Sequence, residues 1–221
     1  MNTPKILLAS QSPRRRELLA LTGWDFRVQA FDIDESRQDG EHATDYVVRL
    51  AQEKAEAALP HVLDGEYILA SDTIVALGDR IFGKPRDAAH ARAVLTTLRD
   101  RVHTVDTAVA VLCPKTGECH VELAVVPVKM RNYTDEEMDA YIESGDPFDK
   151  AGAYAIQNRA FHPVEEFKSC FASVMGLPLC HVVRAFSAHA VPVPEQLPIE
   201  CQLNLAYICP VHRDIFPRNN Q

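Results

Sequence analysis

Two β-rich runs, residues 102–112 and 120–130, are joined by a short connection that contains Pro114-Lys115-Thr116-Gly117-Glu118. So short a link, carrying both proline and glycine, predicts a hairpin and hence an antiparallel strand pair. The chain ahead of it reads differently. Lys5-Ile6-Leu7-Leu8-Ala9 is a continuous apolar run suited to a buried strand. Ser12-Pro13 then supplies a helix N-cap and a proline at the first helical position. That helix should stop at Gly23, with a second strand over residues 24–29. Strand–helix alternation around a central hairpin predicts an α/β fold: a mixed twisted sheet with flanking helices.

Further elements follow from local signals. Residues 32–40 are polar and acidic, a loop. An amphipathic helix is expected over residues 44–59, ended by Pro60, and a β segment over 67–77, broken by Gly78-Asp79 and continued to Gly83-Lys84-Pro85. Asp87 caps another helix, and Thr134-Asp135-Glu136-Glu137 is a capping box. After Gly145 the chain reads as loop until a last helix over 177–188. Beyond residue 190 there are five of the 14 prolines and no glycine. This predicts an extended appendage rather than another packed layer, so the chain divides into a domain over 1–190 and an extension over 191–221.

A net charge of −8 argues against a general nucleic-acid binder, which needs a basic face. No stretch approaches the ~18–20 apolar residues of a membrane span. With no secretory leader at Met1, the expected compartment is the cytoplasm and the six cysteines are read as reduced thiols. Cys180, His181, Cys201, Cys209 and His212 crowd the C-terminal quarter. They are either buried thiols or a structural zinc site, although Cys201-x7-Cys209-x2-His212 is not a standard zinc spacing.

Three features oppose local stability, and such conflicts tend to mark sites. Arg14, Arg15 and Arg16 fill the first turn of a helix, where the dipole is already positive; a bound anion such as phosphate would relieve that repulsion. Lys54 falls near the centre of a face otherwise defined by Val47, Leu50, Ala51 and Ala58, where it must snorkel out or meet an anion. Asp72 interrupts an apolar strand and shares a face with Ala70 and Ile74, so its carboxylate needs a cation, a metal or a water. Glu35 and Lys84 add one more group of each sign. The set fits metal-assisted attack of water on a phosphoanhydride.

Leu8-Ala9-Ser10-Gln11-Ser12-Pro13-Arg14-Arg15-Arg16-Glu17-Leu18-Leu19 resembles the opening motif of the Maf family of nucleoside triphosphate pyrophosphatases. The similarity continues in register through Asp34-Glu35, Lys54-Ala55, Ser71-Asp72-Thr73-Ile74-Val75, Gly83-Lys84-Pro85 and His103-Thr104-Val105-Asp106-Thr107. It resumes over residues 141–157 and ends at Val174-Met175-Gly176-Leu177-Pro178-Leu179. The resemblance implies a Maf/ITPase-like fold that hydrolyses a nucleoside triphosphate to the monophosphate and pyrophosphate with Mg²⁺ or Mn²⁺. It implies Asp72, Glu35, Lys54 and Lys84 as catalytic residues, with Asp72 and Glu35 at the metal. Ser10, Arg14, Arg15, Thr73, Lys150 and Gln157 are implied to bind substrate. Arg14, Thr73 and Gln157 resemble the dTTP/UTP branch rather than the 7-methyl-GTP branch. A nucleotide-binding regulator of cell division without turnover is the alternative, and a homodimer is a further expectation from the family. Two departures stand out: Asn158-Arg159 follows Gln157 where the family usually has glycine, and residues 167–173 replace a glycine-led stretch.

Overall fold

The computed structural model describes residues 3–217. Six strands form one mixed sheet: β1 (Lys5–Leu8), β2 (Asp25–Val28), β3 (Glu66–Leu77), β4 (Arg80–Phe82), β5 (Val102–Leu112) and β6 (Cys119–Lys129). The order is β2-β1-β3-β5-β6, with β4 also paired to β3. β1 runs parallel to β2 and β3, whereas β3 pairs antiparallel with β5 and β5 antiparallel with β6. The predicted β5–β6 hairpin is present, and the break at Gly78-Asp79 is a second hairpin in which β4 folds back on β3.

The helices are α1 (Pro13–Ala20), α2 (Ala43–Ala58), α3 (Ala88–Leu98), α4 (Asp135–Glu143), α5 (Phe171–Val174), α6 (Leu179–Ser187), α7 (Leu197–Leu205) and α8 (His212–Ile215). Strand alternation separates their packing. Even-numbered positions of β3 and β5, including Ile68, Ala70, Ile74, Ala108 and Ala110, face α2 through Val47, Ala51 and Ala55. Odd-numbered positions face the other layer. Leu69, Val109 and Val111 pack with α1 and α6 in one cluster, and Val75 and Val105 pack with α3 and α4 in another. Between those two clusters lie Ser71, Thr73 and Thr107, a polar seam inside an otherwise apolar layer.

The expectation of an extended tail is corrected. Residues after 190 fold back as α7 and α8, with Leu197 buried and Cys201, Leu205, Cys209, Val211 and Phe216 packed on the α1–α6 cluster. The physical reason is an apolar stripe, Leu197-Cys201-Leu205, at helical spacing. Pro198 sits in the first turn, where proline is compatible with a helix, and Ala206 ends α7 in the left-handed region at φ 47°. Among the described residues no helix is long and apolar enough to cross a membrane.

Candidate active site

The sheet contains a gap, and the gap locates the site. One edge of β3 is covered by β5 along residues 68–76. On its other edge β1 pairs only with residues 66–69 and β4 only with 75–77. Among the described residues no strand covers 70–74 on that edge, and Asp72 is at their centre. The last backbone bond closing β1 onto β3 runs from Ala9 N to Leu69 O at 2.8 Å. There the chain turns away into α1 and leaves a cleft at the carboxyl end of β1, where open α/β sheets place their ligands. The cleft encloses about 1110 Å³ and is lined from both faces of the sheet.

On the α2 face, Lys54 Nζ lies 2.6 Å from Asp72 Oδ1 and 2.7 Å from Glu35 Oε1. The Lys54 and Asp72 side chains are only 14% and 13% exposed, so these charge-assisted bonds are sheltered from water on one side. Lys54 therefore meets an anion rather than snorkelling out. Glu35 is on the acidic loop, which α2 pins down: Tyr46 Oη donates to Glu35 O at 2.7 Å and Arg49 Nη2 donates to Ser36 O at 3.0 Å. Lys84, on the turn after β4, is exposed on the cleft wall and makes no ion pair among the described residues.

On the opposite face, α1 begins as the sequence predicts. Ser12 caps it, its Oγ accepting from Arg15 N, and Ser10 Oγ accepts from Ser12 N at 3.2 Å. The three arginines then separate. Arg16 is exposed and away from the cleft, and Arg14 reaches Asp149 Oδ2 at 3.0 Å. Arg15 turns inward, donating to Gly176 O at 2.9 Å, Thr73 Oγ1 at 3.1 Å and Ser10 Oγ at 3.4 Å. Burial lowers the pKa of its guanidinium, an effect the Asp72 charge partly offsets. The polar seam completes this network: Thr107 Oγ1 is 3.1 Å from Thr73 Oγ1 and donates to Ser173 O at 2.9 Å, while Ser71 Oγ donates to Gly176 O at 3.0 Å. Gly176, at φ 103°, carries no Cβ where one would come within 3.2 Å of Thr73 Oγ1 and 3.4 Å of Arg15 Nε.

The remaining wall is the segment after α4. Lys150 lies buried beneath it, its Nζ donating to Asp146 Oδ1 at 2.9 Å and Asp149 Oδ1 at 2.6 Å. Burial pushes the Asp149 carboxyl up, but the bonds from Lys150 and Arg14 outweigh it and hold the group below its usual value. Lys150 thus lines the cleft as a neutralised cation beneath Arg14. Gln157 lies exposed at the rim. The Asn158 that departs from the family pattern is held in the structure by both ends of its amide. Its Nδ2 donates to Asp146 Oδ2 at 3.1 Å and its Oδ1 accepts from Phe161 N at 2.8 Å. The other departure, residues 167–173, is backed by the C-terminal segment, with Tyr207 Oη donating to Phe167 O at 2.9 Å and its ring 5.3 Å from that of Phe171.

All ten site residues expected from the sequence (Ser10, Arg14, Arg15, Glu35, Lys54, Asp72, Thr73, Lys84, Lys150 and Gln157) line this one cleft. The sequence assigns no role to Ser71, Thr107 or Gly152, yet Ser71 Oγ and Arg15 Nε share Gly176 O, Thr107 Oγ1 bonds Thr73 Oγ1, and Gly152 N donates to Gly83 O at 3.2 Å beside Lys84. The C-terminal cysteines are free thiols. Among the described residues no three ligand atoms from Cys180, His181, Cys201, Cys209 and His212 converge closely enough to hold one ion.

A cation-rimmed cleft above paired carboxylates, set in the gap of a mixed sheet, defines an α/β protein built to receive a polyanion. The chain belongs to the Maf-like protein family, whose model matches residues 5–189. It is 45% identical over 181 residues to a dTTP/UTP pyrophosphatase from Methylococcus capsulatus, covering 81% of this chain and 88% of that one. It is also 45% identical over 191 residues to a dTTP/UTP pyrophosphatase from Myxococcus xanthus, covering 86% and 94%. Among solved structures, the nucleoside-triphosphatase / dITP/XTP pyrophosphatase from Mycobacterium abscessus aligns over 84% of this chain and 94% of that one. The identity is 17% and the TM-score 0.41, a distant likeness.

Proposed function

We propose that this protein hydrolyses pyrimidine nucleoside triphosphates, dTTP and UTP, to the monophosphate and pyrophosphate. The observation that carries the reading is the convergence of Asp72 and Glu35 on Lys54 Nζ at 2.6 and 2.7 Å, in the sheet gap and beside the α1 N-terminus. Relatives that are dTTP/UTP pyrophosphatases, at 45% identity over most of both chains, support the choice of substrate.

Two carboxylates already gathered around one positive charge are the oxygen donor set a small divalent cation takes, since Mg²⁺ uses one or two carboxylates plus substrate phosphates. Asp72 and Glu35 would hold it. When bound, Mg²⁺ or Mn²⁺ supplies charge neutralisation at the phosphate oxygens. Arg14, Lys84 and the positive end of the α1 dipole bind and orient the triphosphate. Arg15 is held by Gly176, Thr73 and Ser10 and fixes the wall between phosphate and base. Asp72 orients the attacking water and accepts its proton while the water oxygen bonds to the α-phosphorus. The bond to the bridging oxygen breaks, and pyrophosphate leaves with that oxygen. Gln157 at the rim offers an amide donor and acceptor to a pyrimidine edge.

Phosphorus NMR of dTTP incubated with the protein and Mg²⁺ tests the proposal. Pyrophosphate and dTMP in equal amounts are expected. Orthophosphate and dTDP would move the attack to the γ-phosphorus, and no turnover would leave a nucleotide-binding protein.

A further inference from the structure

A second cluster of ligating side chains lies away from the cleft. Glu118, His120 and His189 each present a ligand atom, and the three atoms lie within 4.8 Å of one another. Glu118 ends the β5–β6 turn and His120 is the second residue of β6, while His189 follows α6 some seventy residues later. None of the three lines the cleft. The two imidazole rings meet edge to face with centroids 4.5 Å apart. Glu118 makes no ion pair among the described residues, and its carboxylate has only a long 3.4 Å contact from Thr116 Oγ1.

We propose that Glu118, His120 and His189 form a binding site for a divalent transition metal, with Zn²⁺ as the best match. Two imidazoles and one carboxylate are the mixed nitrogen–oxygen set that favours Zn²⁺ over Mg²⁺ or Ca²⁺, and water completes a tetrahedron. The surroundings agree with this assignment. His189 Nε2 lies 3.3 Å from Val111 O, and Val111 is the cross-strand partner of His120. With Nε2 donating to that carbonyl, Nδ1 is the nitrogen left to ligate. A backbone carbonyl on the far ring nitrogen is the usual way a metal-bound imidazole is oriented. Packing of the His189 ring against Tyr67, with centroids 5.6 Å apart, restricts it further.

The site has a structural consequence. His189 is the last residue matched by the family model and the point from which the chain departs towards α7. A metal there ties the end of α6 to the β5–β6 hairpin and fixes where the C-terminal segment starts.

Calorimetric titration of the full chain with Zn²⁺, in excess Mg²⁺ and reducing phosphine, tests the proposal, with a Co²⁺ spectrum to report ligand type. One Zn²⁺ per chain is expected. His120→Ala and His189→Ala should each weaken binding by about tenfold or more, and Cys201→Ser and Cys209→Ser should leave it unchanged. Bound Co²⁺ should show d–d bands without a thiolate charge-transfer band. Mg²⁺-dependent turnover should persist in both histidine variants. Absence of Zn²⁺ binding overturns the proposal. So does binding that survives both histidine substitutions, or a thiolate band lost in the cysteine variants, which would place the metal on the C-terminal thiols.

Discussion

Replacing Gly152 with alanine tests how the wall of the cleft is held. Gly152 has φ 69°, and its N–H donates to Gly83 O at 3.2 Å, next to Lys84. A Cβ there would come within 2.7 Å of Val75 Cγ2 and 3.0 Å of both Val75 Cβ and Cγ1. Val75 is buried in β3, so neither partner can yield freely. The left-handed backbone costs alanine about 1–2 kcal/mol, and overpacking adds about 1–3 kcal/mol. The sum of about 2–5 kcal/mol corresponds to a melting temperature lower by roughly 4–20 °C in a chain of this size. Urea unfolding should show the loss directly, and KM for the triphosphate should rise as the Gly83–Lys84 turn is displaced. In a Val75→Ala background the contacts with Cγ1 and Cγ2 disappear and only the 3.0 Å approach to Cβ remains, so Gly152→Ala should then cost less by about 1 kcal/mol or more. A Gly152→Ala cost below about 0.5 kcal/mol, or one unchanged by Val75→Ala, would refute the contact as its cause.

Other perturbations are equally direct. Asp72→Asn should keep the fold, because Lys54 retains Glu35 as a partner, and should reduce kcat by at least about 100-fold, with residual activity above about a tenth contradicting its role. Lys54→Met leaves two carboxylates facing each other with no cation between them. The sequence alone suggests methionine would pack there without loss, but the structure predicts a destabilisation of about 1–3 kcal/mol without Mg²⁺, reduced on adding it; unchanged urea midpoints would contradict this. Burial pushes His103 and His181 down to about 4 from an ordinary 6.5, and their Nδ1 atoms lack partners among the described residues. Both are neutral in either state above that ordinary value. As the pH falls from about 6.5 towards 4 the unfolded chain takes up protons the fold resists, so stability drops by about 2 kcal/mol per histidine by pH 5. Urea midpoints at pH 7 and pH 5 should differ accordingly, and His103→Gln should flatten the difference.

Local signals made the early architecture legible. Ser12-Pro13, Asp87 and the Thr134–Glu137 box each cap a helix through bonds within a few residues. Lys54 and Asp72 stood out singly because each violates the apolar pattern around it. Their mutual contact was not legible, because it depends on α2 lying against the even-numbered face of β3. The three adjacent arginines carry one sequence signal, and only the position of residues 173–176 decides that Arg15 turns inward. Gly152 carries no local signal of its own, because Val75, the residue its missing Cβ would meet, lies far away in the chain. The C-terminal helices were hidden by proline content, although Leu197, Cys201 and Leu205 already had helical spacing. Glu118, His120 and His189 are brought together solely by the fold.

Pyrophosphatase activity with a pyrimidine preference is decided by kcat/KM for pyrophosphate release across a nucleotide panel under Mg²⁺. dTTP and UTP should lead ATP, GTP and 7-methyl-GTP by roughly ten- to a hundred-fold, the ~1–3 kcal/mol of a mismatched base edge. Purine triphosphates that match or exceed dTTP would contradict it.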